Sequence, residues 1–345
     1  MNEKKKKFKI LNINRDSKGL SKTQAAPVGS IKRFFISYKD NFGKITSVNI
    51  FMVLGNFPIL FLVIALSTVS KLSAFIPSYD VFQNLAGYFA STEISAHSMS
   101  MFANSAIQNL VYRPTTLTYV FYALGALTLL SFGCVNAGTA YILRNIAKGD
   151  PVFLWSDFWY AVKRNWKQAL PFGMIDLLIT FVLAFNIYSM FTTVGNFFSN
   201  TMLWCNVVIL ILYFVMRYYV YVQMVTFNLT IFKILKNSLI FSLLGFKRNL
   251  LATISIILLL LIECACVFGA GGILLPFGIS LPFLILFSTM AYMKVYASYF
   301  KIKEIMIDPY LAEHPEERDD IDYDPIMLDD VTEAERLENI KKRMH

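Results

Sequence analysis

Two ionisable side chains, Asp176 and Arg217, stand within consecutive long apolar runs of this sequence. Asp176 lies about six residues after the start of its run, and Arg217 lies about five residues before the end of the next run. The start of one run and the end of the next lie on the same side of the membrane. At about 1.5 Å per residue, both side chains therefore lie about 8–9 Å below the same membrane surface. A charge at mid-bilayer costs about 2.5–3.5 kcal/mol, so each needs a partner or water. We predict that they approach each other, as a structural ion pair or as part of a solute site. Snorkelling of each to the interface is the alternative.

A third ionisable residue, Glu263, lies deeper in a later apolar run and has no basic residue at a matching depth. We expect it to be either neutral and hydrogen-bonded or exposed to a cavity. Asp176, Arg217 and Glu263 form the candidate buried polar or ligand site. An aromatic cluster near Arg217 could stack on a sugar, but an aromatic belt at the membrane interface is the simpler interpretation. Its members are Tyr213, Phe214, Tyr218, Tyr219 and Tyr221.

Enzyme motifs are missing from the sequence. The three histidines are scattered without zinc spacing, and all four cysteines lie inside apolar runs, where packing is their usual role. Neither a glycine-rich phosphate loop nor a G-x-S-x-G elbow occurs. We therefore expect no catalytic residues, no metal, no cofactor and no enzymatic activity.

Apolar residues dominate the composition and are concentrated in runs. The chain has 345 residues, of which 56% are hydrophobic and only 16% charged, with a mean hydropathy of +0.52. Each run reaches the roughly 20 residues that a helix needs to cross a bilayer. The sequence predicts an all-α, polytopic transmembrane bundle of about six spans, at 48–69, 118–143, 170–194, 202–222, 250–270 and 273–295. We expect a kink at Pro58 and a tight hairpin at Gly271 and Gly272.

Lys and Arg alternate between the segments that separate these runs. The segment before the first run has 12 of them, and the next five segments have 2, 5, 0, 4 and 0. Because cytoplasmic loops carry an excess of Lys and Arg, this alternation predicts that both termini are cytoplasmic. We expect a cell-membrane location.

The two ends of the chain differ in charge. Residues 1–47 contain 12 basic and 3 acidic residues, whereas residues 304–345 contain 5 basic and 14 acidic ones. A basic arm beside a membrane span indicates contact with the lipid bilayer rather than with nucleic acid. The predicted parts are a basic arm with an interfacial helix (1–47), a membrane domain (48–303) with a solvated external loop (70–117), and an acidic cytoplasmic tail (304–345). A terminal helix at 330–344 and disorder at 314–325 are expected in the tail.

A Lys-x-Asn element occurs where three basic segments lead into runs, at Asn41, Asn165 and Asn249. Before Asn41 and around Asn165, aromatic and aliphatic residues at 3–4 spacing predict amphipathic helices at the interface. The pattern allows three repeats of an interfacial helix followed by a membrane hairpin. Independent Lys and aromatic enrichment at each cytoplasmic boundary would give the same pattern.

Residues 133–178 combine small, basic and polar positions at fixed offsets. The small-residue element has Gly138 and Thr139 and ends at the basic Arg144. After a loop, a second element reads "DFW" and then "KRNWKQA", with Asp157, Phe158, Lys163, Asn165 and Trp166. This stretch resembles the YesL family of bacterial membrane proteins, and weaker similarity extends over about 30–303. The basic arm, the acidic tail and an insertion before Gly133 depart from the family pattern.

The resemblance implies a membrane protein without established catalytic residues, associated with loci that encode sugar ABC transporters. It favours an accessory or regulatory component of carbohydrate uptake, with ABC permease subunits as partners. The alternative is a small-solute transporter or channel in its own right, which the buried charges and the repeat pattern favour.

Overall fold

A computed structural model of the chain describes residues 29–77, 108–192, 197–269, 272–313 and 326–328. Most of the basic arm, the centre of the external loop and the predicted tail features at 314–325 and 330–344 lie outside these residues. The chain divides into two compact units, one of Asn56–Leu130 and one of Met1–Gly55 with Ser131–His345.

Helices dominate the described residues, with short strands between some of them. In chain order the elements are α1 (Ile31–Asp40), α2 (Phe42–Gly55), α3 (Pro58–Leu66), β1 (Lys71–Pro77), β2 (Gln108–Pro114), α4 (Thr116–Ala126), α5 (Thr128–Lys148), α6 (Leu154–Thr192), α7 (Phe197–Thr226), β3 (Phe227–Asn228), α8 (Ile231–Leu244), α9 (Phe246–Phe268), α10 (Leu275–Leu281), α11 (Phe287–Ile302), α12 (Asp308–Glu313) and β4 (Ile326–Leu328). Two π-helical turns, Pro282–Leu286 and Lys303–Ile307, flank α11.

Five continuous helical segments in the described part of the chain are long and apolar enough to cross a membrane. They are Thr116–Lys148, Leu154–Thr192, Phe197–Thr226, Phe246–Phe268 and Leu275–Glu313. The pair formed by α2 and α3 counts as a sixth if it is taken as one interrupted span. The predicted transmembrane helical bundle is therefore confirmed, and the kink expected at Pro58 is a break between two helices.

The distribution of polarity suits a lipid environment. Large apolar side chains point outward along the helices, among them Phe181 on α6 and Leu258 on α9, whereas Asp176, Gln223 and Asn249 are buried. Soluble proteins rarely expose contiguous apolar patches of this kind, because water penalises them. In hydrocarbon the same surface carries no such penalty, and the buried polar groups find partners inside the bundle.

In the unit Asn56–Leu130, the two ends of the segment 70–117 form paired strands. Strands β1 and β2 pair antiparallel, from Lys71 opposite Pro114 to Pro77 opposite Gln108. Helix α4 begins with a capping box in which the Thr115 hydroxyl accepts from the Thr118 backbone N–H. Gly125 on α4 lies against the backbone of Leu62 on α3, where a Cβ would stand 2.9 Å from the Leu62 nitrogen. Paired strands therefore replace an open loop at both ends of the segment 70–117.

Glycines let α5 and α6 approach closely in the other unit. A Cβ added to Gly173 on α6 would stand 2.5 Å from the Cα of Gly133 on α5. A Cβ on Gly138 would lie 2.6 Å from the ring of Phe158. Small residues at such crossings are the usual means of helix packing in membranes, because van der Waals contact replaces the hydrophobic driving force.

Helix α1 packs on α11 through hydroxyl and ring contacts. The Tyr292 hydroxyl donates to Ser37 Oγ at 2.8 Å, and the Tyr296 hydroxyl donates to the Ser30 carbonyl at 2.9 Å. Phe34 stacks on Tyr292, with ring centroids 5.3 Å apart. Phe35, whose ring centroid lies 5.3 Å from that of Phe34, is exposed. Helix α1 thus packs on α11 and also exposes an apolar ring.

The three Lys-x-Asn corners are not built in the same way. Asn41 and Asn165 each donate from Nδ2 to the carbonyl four residues earlier, at 3.1 and 2.8 Å. Asn249 instead donates to the Ser242 carbonyl at 2.9 Å and accepts from the Tyr219 hydroxyl at 2.7 Å. Separate helices precede the first and third corners, whereas α6 runs unbroken through the second. The first two asparagines share a geometry that the third does not.

Asn49 on α2 supports the π-helical turn before α11. Its Nδ2 donates to the Pro282 and Phe283 carbonyls at 2.8 and 2.9 Å, and its Oδ1 accepts from the Ser288 N–H at 2.9 Å. Proline interrupts the helical hydrogen-bond ladder, so neighbouring groups must satisfy the freed backbone inside a membrane. A single buried side chain therefore supplies three hydrogen bonds to this interruption.

Helices α9 and α10 flank the predicted tight hairpin, of which Gly271 lies outside the described residues. Helix α9 ends at Phe268, and Gly272 has a φ of +87°, a conformation that favours glycine. A Cβ on Gly278 of α10 would stand 2.7 Å from a methyl group of Val267 on α9. The two helices are therefore in direct contact beyond the turn.

Candidate functional site

Asp176 and Arg217 meet between α6 and α7, as their matched depths predicted. The Arg217 Nε lies 2.9 Å from Asp176 Oδ1 and donates to Oδ2 at 3.1 Å. The Asp176 side chain has 0% of its surface exposed, and that of Arg217 has 25%. The two helices are antiparallel neighbours, so residues at equal depth face each other across the contact. The aspartate of the pair is thus fully buried, and the arginine is partly exposed.

Two tyrosines complete the surroundings of the Asp176 carboxylate. The Tyr213 hydroxyl donates to Oδ1 at 2.7 Å, and the Tyr221 hydroxyl donates to Oδ2 at 3.3 Å. Hydrogen bonds to an ionised carboxylate stabilise its charged form. With Arg217 as the third donor, Asp176 is satisfied as an anion inside the bundle.

The aromatic cluster on α7 is part of the core, so its interpretation as an interface belt is wrong for three of its tyrosines. Tyr218, Tyr219 and Tyr221 are 2%, 0% and 7% exposed. Tyr218 shares a hydrogen bond with Thr253, and Tyr219 donates to Asn249. Their hydroxyls find partners on α6 and α9 instead of reaching the membrane surface.

Lys294 on α11 is a further charged residue at the site that the sequence prediction missed. It is partly buried, and its Nζ lies 5.8 Å from the ring centroid of Phe214. Among the described residues, the Lys294 ammonium makes neither a hydrogen bond nor an ion pair, whereas the Lys294 carbonyl accepts from the Ser298 hydroxyl at 2.9 Å. A signal did exist, because this lysine stands inside the sixth apolar run. It lies one residue before the predicted end of that run, whereas the helical segment continues to Glu313.

A cavity of about 70 Å³ adjoins these charges, between α2, α5, α7 and α11. We call it the chamber. Its polar lining comes from Asn136 and Thr139 on α5, Arg217 and Tyr221 on α7, and Lys294 on α11. A water needs about 10–15 Å³ of such volume, so the chamber has room for about five waters or a ligand of similar size. Binding pockets for drug-sized ligands are larger, about 300–1,000 Å³.

Glu263 on α9 does not join this cluster. Within the described residues, it makes no ion pair with Arg217 or Lys294, and its Oε2 is buried without a hydrogen-bond partner. The candidate site predicted from sequence therefore divides into a connected pair, Asp176 with Arg217, and a separate carboxyl group.

The small residues of the 133–178 element have packing roles. Gly138 leaves room for Phe158, and the two belong to the two halves of the element. Thr139 donates from Oγ1 to the Val135 carbonyl at 2.8 Å, and the same residue lines the chamber. Thr139 is thus the position where the element meets the candidate site.

The basic and polar residues of the element make hydrogen bonds where α5 ends, α6 begins and α7 ends. Arg144 donates from Nη1 to the Val225 carbonyl at 2.9 Å, and Arg164 donates from Nη2 to the same carbonyl at 2.6 Å. Asp157 accepts from the Phe153 N–H at 2.9 Å near the start of α6. Asn165 is buried within α6, whereas Lys163 and Trp166 are exposed. Most of these residues therefore support the fold without contacting the chamber.

Comparison with known families finds a match over α4, α5 and most of α6. Residues 114–187 match a family described as "Protein of unknown function, DUF624". The matched region includes Thr139 and Asp176 but ends before Arg217 and Lys294. Neither the curated proteins nor the solved structures provide a match to the chain.

The chemistry available at this site is charge recognition. Among the described residues, none of the His, Cys, Asp and Glu side chains form a group of three that could hold a metal ion. The chamber instead presents guanidinium and ammonium groups beside one satisfied carboxylate. Such an arrangement can stabilise helix packing, bind a compact polar solute, or do both.

Proposed function

We propose that this chain is a non-enzymatic, YesL-like multi-pass protein of the cell membrane that serves as an accessory or regulatory component of ABC-type carbohydrate uptake. In this proposal both termini face the cytoplasm. Support comes from the 133–178 element, whose residues resemble the YesL family, and from the alternating Lys and Arg counts of the loops.

The size of the chamber is the observation that carries the accessory role. A cavity of about 70 Å³ suits a few waters or a compact group, and a sugar needs a larger, hydroxyl-binding pocket. Arg144 and Gly138 hold helices together instead of lining a sugar site. Carbohydrate handling by a partner permease is consistent with both features.

An exposed aromatic face on α6 offers a contact surface for such a partner. Trp155, Trp159 and Trp166 are 66%, 42% and 51% exposed. Aromatic residues are enriched at protein interfaces, because they bury a large rigid surface at a low entropic cost. We propose that the permease contacts this face.

Co-purification with permease subunits tests the proposal. The tagged protein would be solubilised in mild detergent after chemical cross-linking in cells grown with and without an inducing sugar. We expect ABC permease subunits to be enriched, and less so for the double variant W155A/W159A. W204A is the matched control, because Trp204 is equally exposed but lies on α7. Recovery of no permease subunit under any growth condition would refute the accessory role.

A transporter or channel is the second candidate. The Asp176–Arg217 pair beside the chamber favours it, since intramembrane charges often mark solute or proton pathways. Uptake of labelled solutes or ions by proteoliposomes of the purified protein tests this candidate. Saturable uptake without any partner, abolished by D176N, would replace the accessory role with direct transport.

A further inference from the structure

The charges around the chamber do not cancel. Asp176 is the carboxylate at the site, and it is neutralised by Arg217 at 2.9 Å. Lys294 adds a second cation to the chamber lining and has no ion-pair partner among the described residues. An uncompensated ammonium within a membrane-spanning helix is costly, so water or a counter-ion is needed beside it.

Hydrogen-bond donors also exceed acceptors at this site. A guanidinium has five N–H donors, and Arg217 uses its Nε toward Asp176. In the described part of the chain, its terminal nitrogens and the Lys294 ammonium donate to no residue. Asp176 already accepts from Arg217, Tyr213 and Tyr221, so its oxygens are not available to Lys294. The unused donors therefore require acceptor atoms that the described residues do not supply.

We propose that the chamber binds a compact anionic group, with Arg217 and Lys294 as its cationic ligands. Asn136 flanks these cations on α5, and its amide has a second N–H donor besides the one that bonds the Phe132 carbonyl. A volume of about 70 Å³ admits a halide, an inorganic oxyanion or a single headgroup phosphate. The inference rests on the charges, the hydrogen-bond donors and the volume of the chamber, so it does not depend on the proposed role in carbohydrate uptake.

Direct binding to the full-length protein is the test. The protein in neutral detergent, with bulky gluconate as the background anion, would be titrated with radiolabelled chloride and with radiolabelled inorganic phosphate. A parallel arm adds anionic phosphatidylglycerol without either ion and measures thermal unfolding by tryptophan fluorescence. Saturable binding of an inorganic ion indicates a free anion as the ligand. Stabilisation by phosphatidylglycerol, but not by phosphatidylcholine, indicates a headgroup phosphate.

Substitutions of Lys294 connect the binding to the chamber. K294M should weaken the binding by at least about tenfold, whereas K294R should retain it. K247M is the control, because Lys247 is an exposed lysine on α9 outside the chamber lining. If K294M does not fold, the neutral polar variant K294Q replaces it. No saturable effect in either arm with the natural sequence, or equal binding by K294M and K247M, would overturn the proposal.

Discussion

Replacing Asp176 should destabilise the bundle more than replacing Arg217. The D176A change removes the shared acceptor of Arg217, Tyr213 and Tyr221, and it leaves the two cations of the site without a carboxylate. The R217M change leaves the carboxylate with both tyrosine donors. The structure therefore predicts an asymmetry between two partners of the same ion pair.

The magnitudes follow from burial and from the number of lost hydrogen bonds. Breaking a buried ion pair by removing one partner costs about 3–5 kcal/mol, which we expect for D176A because Arg217 and Lys294 are then left without a counter-charge. Loss of one charged hydrogen bond costs about 1.5–3 kcal/mol, which we expect for R217M. The free energy of unfolding of the double variant should fall by about 1–3 kcal/mol less than the sum of the two single losses. The reason is that neither charged residue then remains without its partner.

Thermal unfolding in detergent, followed by tryptophan fluorescence, measures this series. D150A is the control: Asp150 also lies 2.9 Å from its partner, Lys148, but their side chains are 30% and 28% exposed. Exposed pairs contribute about 0–1 kcal/mol, so D150A should leave the unfolding temperature nearly unchanged. Additive losses would show that Asp176 and Arg217 do not couple. A greater loss in R217M than in D176A would refute the role given to the tyrosines.

Three further predictions concern packing, the π-helical turn and topology. G133L should prevent α5 from approaching α6 and lower the yield of folded protein on size-exclusion chromatography, whereas G43L, with open space at its Cβ, should not. N49L removes three buried hydrogen bonds at the turn before α11, so we expect a loss of about 3 kcal/mol or more, measured by thermal unfolding. In a cysteine-free background, S95C should react with an impermeant thiol reagent outside the cell and S156C should not; external labelling of S156C would reverse the proposed orientation.

Local sequence rules were sufficient for the spans and for one contact of the site. Apolar runs of fixed length reveal helices that can cross a bilayer, because hydropathy and helical rise are local properties. The same rise gives the depth of each charge, so the meeting of Asp176 with Arg217 followed from two positions on consecutive helices. The break at Pro58 also followed locally, since proline cannot continue the backbone ladder.

Tertiary contacts determined two features that hydropathy did not predict, the length of the last helical segment and the pairing of β1 with β2. Hydropathy falls after residue 295, yet the helical segment continues to Glu313, because polar residues such as Ser298 are buried against other helices. Lys294 is therefore well inside the segment and not at its boundary. Strands β1 and β2 pair residues that are far apart in sequence, and no local pattern in the segment 70–117 predicted this pairing.

The sequence by itself determined that this is a helical membrane protein with an acidic and a basic residue at matching depth on consecutive helices. Only the tertiary structure brought Lys294 to that pair and left a chamber beside it. The physical reason is that hydropathy and periodicity depend on neighbours along the chain. The direction in which a helix face points depends on contacts between α5, α7 and α11, which are distant in sequence.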